Sequence, residues 1–140
     1  MTRSPQRAVL VVVAAALLGW ACDDDTPTIP TTPTAPVEMT TETFSGDLTI
    51  NGARTFAFGT VAGPVTATLT SFGPDSTLAV GFSLGTWSGS VCNIVLANDN
   101  AVQGAIVIGS AGAISTLCVR IYDVGNLTET LPFLITVEHP

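Results

Sequence analysis

The chain contains no lysine, one histidine and one tyrosine, and only 11% of its residues are charged. The shortage of cations excludes one broad class of partner. Arg3 and Arg7 lie in the first ten residues, which leaves Arg54 and Arg120 for the rest of the chain. From residue 44 onward these two arginines face six carboxylates, a net charge of −4. Such a surface cannot neutralise a run of phosphates, so nucleic-acid binding is excluded. Nitrogen and sulfur ligands are equally scarce. One histidine and two cysteines, Cys92 and Cys118, in the same region do not make a zinc or copper site. Long apolar runs are absent too. The longest, residues 8–18, would be about 17 Å long as a helix, against a ~30 Å hydrocarbon core. No stretch of ten residues carries a helical period.

That apolar run follows Arg3 and Arg7 and ends at Gly19-Trp20-Ala21-Cys22. A positive start, a short apolar core and a small-x-small site describe a secretory signal over residues 1–21. Two cleavage readings are open at this site. Gly19-x-Ala21 suits the general signal peptidase. The same residues resemble a lipobox, which makes Cys22 the lipid-attachment residue of a bacterial lipoprotein. Cysteine parity favours lipidation. Cys92 and Cys118 can pair with each other, and lipid on Cys22 accounts for the odd thiol. The expected location is extracytoplasmic, in the cell envelope, with the membrane reached through the lipid. A disulfide is permitted there.

Residues 22–43 read as a disordered, lipid-anchored linker. Asp23, Asp24 and Asp25 are followed by Pro27, Pro30, Pro33 and Pro36 among eight threonines. Proline removes backbone donors and favours extended chain, so residues 26–43 reach roughly 56 Å at ~3.1 Å per residue.

Residues 44–140 read as one all-β domain. Val65, Ala67 and Leu69 alternate with Thr66, Thr68 and Thr70. The same period of two recurs at Leu78, Val80, Phe82 and Leu84, and at Leu117, Val119 and Ile121. Alternation means one face buried and one wet. Further strands are expected over 44–50, 54–60, 91–97, 101–108 and 133–138. Turn signals separate them: Asn51-Gly52, Gly63-Pro64, Gly73-Pro74-Asp75, Asn98-Asp99-Asn100, residues 109–112 and Gly125-Asn126. Seven or eight short antiparallel strands at this spacing predict a small β-sandwich. An immunoglobulin domain is disfavoured, because Trp87 precedes both cysteines. A Cys92–Cys118 disulfide would close a loop worth about 3–4 kcal/mol. Cys118 alternates against Leu117, Val119 and Ile121, so the bridge belongs near a strand end or on the outer face.

The run Thr116 to Asp123, a Gly/Asn turn, and Pro132 to Glu138 resembles the last hairpin of bacterial pre-peptidase C-terminal domains. Phe44-Ser-Gly-Asp-Leu48, Thr55-Phe-Ala-Phe58 and Val65-Thr-Ala-Thr-Leu69 are similar to the first strands of that family. The resemblance spans residues 44–137. It implies a jelly-roll-like sandwich of the kind appended to exported enzymes, where some members assist secretion, bind polymeric substrate or bind calcium. Unlike that family's usual setting, no stretch of residues 1–140 reads as a catalytic domain.

Gly81-Phe-Ser83-Leu-Gly85 matches G-x-S-x-G, and Ser83, Asp123 and His139 follow the serine–acid–histidine order of α/β-hydrolases. The motif needs a strand–turn–helix elbow. The alternation instead puts Ser83 on the wet face of a strand, with His139 at a mobile chain end. No enzyme is expected, and no cofactor. Asp75, Asp99 and Asp123, with Asn98 and Asn100, fall in expected loops and are weak calcium candidates. Asn and Asp are also ordinary turn residues, the preferred reading. Trp87, in the polar segment 85–90, and Tyr122, pointing away from the Leu117 row, are the binding candidates. Arg120 shares the side of Tyr122 and is expected to pair with an acid. The leading expectation is a non-enzymatic, tethered binding or accessory domain for a polysaccharide or an envelope protein. The alternative is a structural envelope lipoprotein with no specific ligand.

Overall fold

The computed structural model describes residues 35–140. The signal, Cys22 and the linker up to residue 34 lie outside the described residues. Eight strands build the domain: β1 (Thr40–Leu48), β2 (Ala53–Thr60), β3 (Gly63–Phe72), β4 (Val80–Trp87), β5 (Cys92–Ala101), β6 (Ile106–Ala111), β7 (Ser115–Tyr122) and β8 (Leu131–His139). No helix occurs among the described residues.

Four antiparallel ladders nest inside one another: β1 with β8, β2 with β7, β3 with β6 and β4 with β5. They are the rungs of one long hairpin whose tip is the β4–β5 turn. Rolling that hairpin up lays β3 beside β8 and β4 beside β7. Two four-stranded sheets result, ordered β1-β8-β3-β6 and β2-β7-β4-β5. This is a jelly-roll sandwich.

The inner faces are the alternating rows read from the sequence. Val65, Ala67 and Leu69 of β3 and Ile135 and Val137 of β8 meet Val80, Phe82, Val119 and Ile121 of the opposite sheet, all fully buried. Burying each such side chain stabilises the fold by about 1.5–3 kcal/mol, the cavity-free limit of a large-to-small change. A bulge between Leu69 and Ser71 shifts the phase of β3 by one, so Phe72 also enters the core.

Several local expectations are corrected. β1 begins at Thr40, so the last four residues of the expected linker pair with β8. β7 and β8 do not form a hairpin. They lie in different sheets, because their loop crosses from one to the other. Asn98-Asp99-Asn100 is strand rather than loop: β5 continues to Ala101, and bulges against β4 absorb the extra residues. The turn follows instead, through Gly104 at φ 85°. β6 likewise runs to Ala111, through the expected turn at 109–112. His139 is not at a mobile end. It is 4% exposed, with its Nε2 3.1 Å from Glu42 Oε1 and its ring 5.2 Å from that of Phe58.

Candidate functional site

Ser83 gives the first clue to a site, because it is completely buried although its side chain leaves the core. Val80, Phe82 and Leu84 take the inner face of β4, so Gly81, Ser83, Gly85 and Trp87 take the outer one. The expectation of a wet Ser83 fails because something lies on top of it. In the register with β7, Gly81 faces Tyr122, Ser83 faces Arg120 and Gly85 faces Cys118. The Tyr122 side chain of β7 therefore lies across the small residues of β4. A Cβ at Gly81 would collide with the Tyr122 ring, and one at Gly85 with the Asn93 carbonyl.

The Tyr122 ring crosses β4 and its hydroxyl donates to Asp99 Oδ1 on β5. Burial pushes the Tyr122 pKa up to about 12, helped by the hydrogen bond and charge of Asp99 and opposed by Arg120. The phenol is thus a fixed neutral donor at physiological pH. The Arg120 guanidinium carbon stands 5.4 Å from the centre of that ring, a cation–π contact. The expected acid partner is not found: among the described residues no carboxylate oxygen lies within 4.0 Å of an Arg120 nitrogen. Arg120 Nε is buried and has no acceptor there. Ser83 Oγ donates to the Arg120 carbonyl at 3.5 Å.

Cys92 and Cys118 are disulfide-bonded, with Cα atoms 5.8 Å apart. The bridge lies on the outer face and joins β5 to β7 across β4. Trp87 pairs with Cys92 at the end of β4 and is half-buried, outside the core cluster. Trp87 lies six steps along β4 from Gly81, so Tyr122 and Trp87 mark the ends of a face roughly 20 Å long at ~3.3 Å per residue. Arg120 and the disulfide lie between them. Beside this ridge, Ala53, Thr55, Ala57 and Gly59 of β2 form an exposed shelf of small side chains, Thr55 directly opposite Arg120.

The other candidates are dispersed. Asp75 Oδ1 accepts from the backbone N–H and hydroxyl of Thr77 at 2.9 and 2.7 Å, which hold its pKa below the usual carboxylate range. Asp123 accepts from the N–H groups of Asn51, Gly125, Asn126 and Leu127 at 2.8–3.2 Å. Burial opposes ionisation of Asp123, but these four donors outweigh it and lower its pKa. Asp75, Asp99 and Asp123 are not brought together, and no group of three or more His, Cys, Asp or Glu converges among the described residues. Ser83 and His139 belong to different sheets, so no triad assembles. The sequence missed Asp99 as a partner of Tyr122, since its composition read as a turn.

A second surface differs in character. Ile94, Val95, Ile106 and Ile108 are exposed on the edge strands β5 and β6. An apolar hollow of ≈ 130 Å³ lies among Leu84, Val95, Leu96, Gly109 and Leu117.

Comparison with models of protein families and with curated proteins returns no match to this chain.

Proposed function

We propose that this chain is a lipid-tethered, extracytoplasmic, non-enzymatic module that binds a polysaccharide along the outer face of the β2-β7-β4-β5 sheet. One observation carries the reading. Gly81 is registered opposite Tyr122 on β7, and alternation along β4 sets Trp87, the other binding candidate, on the same face about 20 Å away. An extended polymer spans such a distance, while a small ligand does not. Indole and phenol rings supply broad apolar area with a polar edge, the combination that stacks on sugar rings. The neighbouring shelf of Ala53, Thr55, Ala57 and Gly59 leaves room for the chain to lie flat. The resemblance of residues 44–137 to pre-peptidase C-terminal domains supports an accessory role. Lipid on Cys22 and the Thr/Pro linker would hold the face clear of the bilayer.

Affinity electrophoresis of the full chain in detergent, through gels containing soluble polysaccharides, tests the proposal. Wild type is retarded by at least one polymer, and Trp87→Ala removes about 2 kcal/mol, roughly 30-fold in affinity, at an unchanged melting temperature. If Trp87→Ala lowers the melting temperature and leaves retardation intact, the indole is a packing group and the proposal fails. A Cys22→Ala chain is expected in the soluble fraction; its retention on membranes would remove the lipid anchor. The exposed aliphatic residues of β5 and β6 favour the second reading, an envelope protein as partner.

A further inference from the structure

We propose that Arg120 is a carboxylate subsite on this face, so that the polymer it takes is a polyuronate; the assignment rests on the polysaccharide reading above.

The described residues contain two guanidinium groups, and they are used differently. Arg54 is exposed, and its Nε donates to the Asp47 carbonyl at 3.1 Å. Arg120 is half-buried, and its Nε is sealed from solvent without an acceptor. No carboxylate among the described residues lies within ion-pairing distance of it. The acid that shares its face, Asp99, is already engaged by the Tyr122 hydroxyl. Nε itself lies beyond a ligand's reach, so an arriving carboxylate would meet the outer edge of the guanidinium, which no carboxylate of the described residues occupies.

Orientation points the same way. The contact with the Tyr122 ring and the register opposite Ser83 hold the side chain in place before any ligand arrives. A planar guanidinium held at its stem offers its edge to a planar carboxylate through two parallel N–H···O bonds, which an ammonium cannot match. Thr55, exposed and directly opposite on β2, puts a hydroxyl beside that position. A uronate residue meets this set with one group per partner. Its carboxylate lies on Arg120, a ring hydroxyl on Thr55, and its neighbours run along β4 toward Trp87.

The test compares two polymers with one backbone: polygalacturonate and its fully methyl-esterified form, which lacks the charge. The full chain in detergent is run by affinity electrophoresis through each, with melting temperatures taken in parallel. Wild type is expected to bind polygalacturonate at least tenfold more tightly than the ester. Arg120→Gln should abolish that preference. Arg120→Lys should keep only part of it, because charge remains and the fork is lost; it also serves if the Gln variant does not fold. Arg54→Gln removes the same charge elsewhere and should bind as wild type. Polygalacturonate bound equally by wild type and Arg120→Gln overturns the assignment. Equal binding of both polymers by wild type, lost in Trp87→Ala, overturns it while leaving the polysaccharide reading in place. Binding of neither polymer, nor of neutral glucans, overturns both.

Discussion

Reducing the Cys92–Cys118 bridge removes a constraint whose size follows from chain length. The two cysteines are 26 residues apart, and a loop of that length loses about 12 cal/mol/K of closure entropy when it is tied. At 25 °C this is about 3.5 kcal/mol, a large part of the 5–15 kcal/mol typical of a domain. The folded sheet should survive, since β4 is held by ladders to both β5 and β7 without the bridge. Urea unfolding with and without reductant measures the effect. At an m-value of about 2 kcal/mol/M the midpoint falls by roughly 2 M. The melting temperature falls by roughly 15–25 °C for a domain of this size. The m-value should rise, because the reduced unfolded chain exposes more surface. The binding proposed for the Tyr122–Trp87 face should change far less than stability. A midpoint shift below about 0.5 M would refute the reasoning, since the bridge would then not be restricting the unfolded chain.

Gly81→Ala forces a methyl into the Tyr122 ring and should cost about 1–3 kcal/mol, whereas Gly59→Ala, with nothing within 4 Å of the added carbon, should be neutral in the same urea titration. Tyr122 is the one tyrosine of the chain, so phenolate absorbance reads it directly. Its midpoint should lie near pH 12 and fall only part of the way back in Asp99→Ala, since burial, the larger cause, remains; because the folded pKa is raised, its stabilising contribution is complete below pH 10 and lost as pH climbs toward about 12. Asp123→Ala frees four backbone donors and should cost about 2 kcal/mol at neutral pH. Since the folded pKa of Asp123 is lowered, the wild-type advantage over this variant should hold above about pH 4 and vanish as pH falls through the folded value, seen as converging melting curves.

Local pattern was enough for the strands and their buried faces. The alternation of Val65, Ala67 and Leu69, or of Leu117, Val119 and Ile121, is imposed by the pleat itself and survives any choice of partner strand. What lies over the opposite face is set by register between distant strands, and no local pattern records it. Ser83 alternates as a wet residue should, yet Arg120, 37 residues later, stands opposite and helps cover it. Trp87 and Tyr122 were legible one at a time; that they share a face depends on the same ladder. Asp99 was lost to composition. Asn-Asp-Asn reads as a turn because these side chains favour bent backbone, but a bulge satisfies the same preference inside a strand.

The register also accounts for the G-x-S-x-G match without any nucleophile. In a hydrolase the glycines allow a tight turn that lifts serine to the surface. Here the three small residues keep one side of β4 low. Gly81 admits the Tyr122 ring, Ser83 lies opposite Arg120, and Gly85 lets the start of β5 pass close enough for Cys92 to reach Cys118. These contacts fix Tyr122, Arg120 and the Cys118 bridge at successive points along β4. The consequence is a chemically varied face on a rigid scaffold: ring, guanidinium, disulfide and indole in fixed order along one strand direction. A mobile loop could carry the same residues but would have to order them on every binding event, at about 0.5–1.5 kcal/mol for each flexible side chain immobilised. Setting them on the central pair of a sheet moves that cost into folding. Gly81 is therefore part of the proposed site although it touches no ligand, and enlarging it should weaken binding through the Tyr122 ring it displaces.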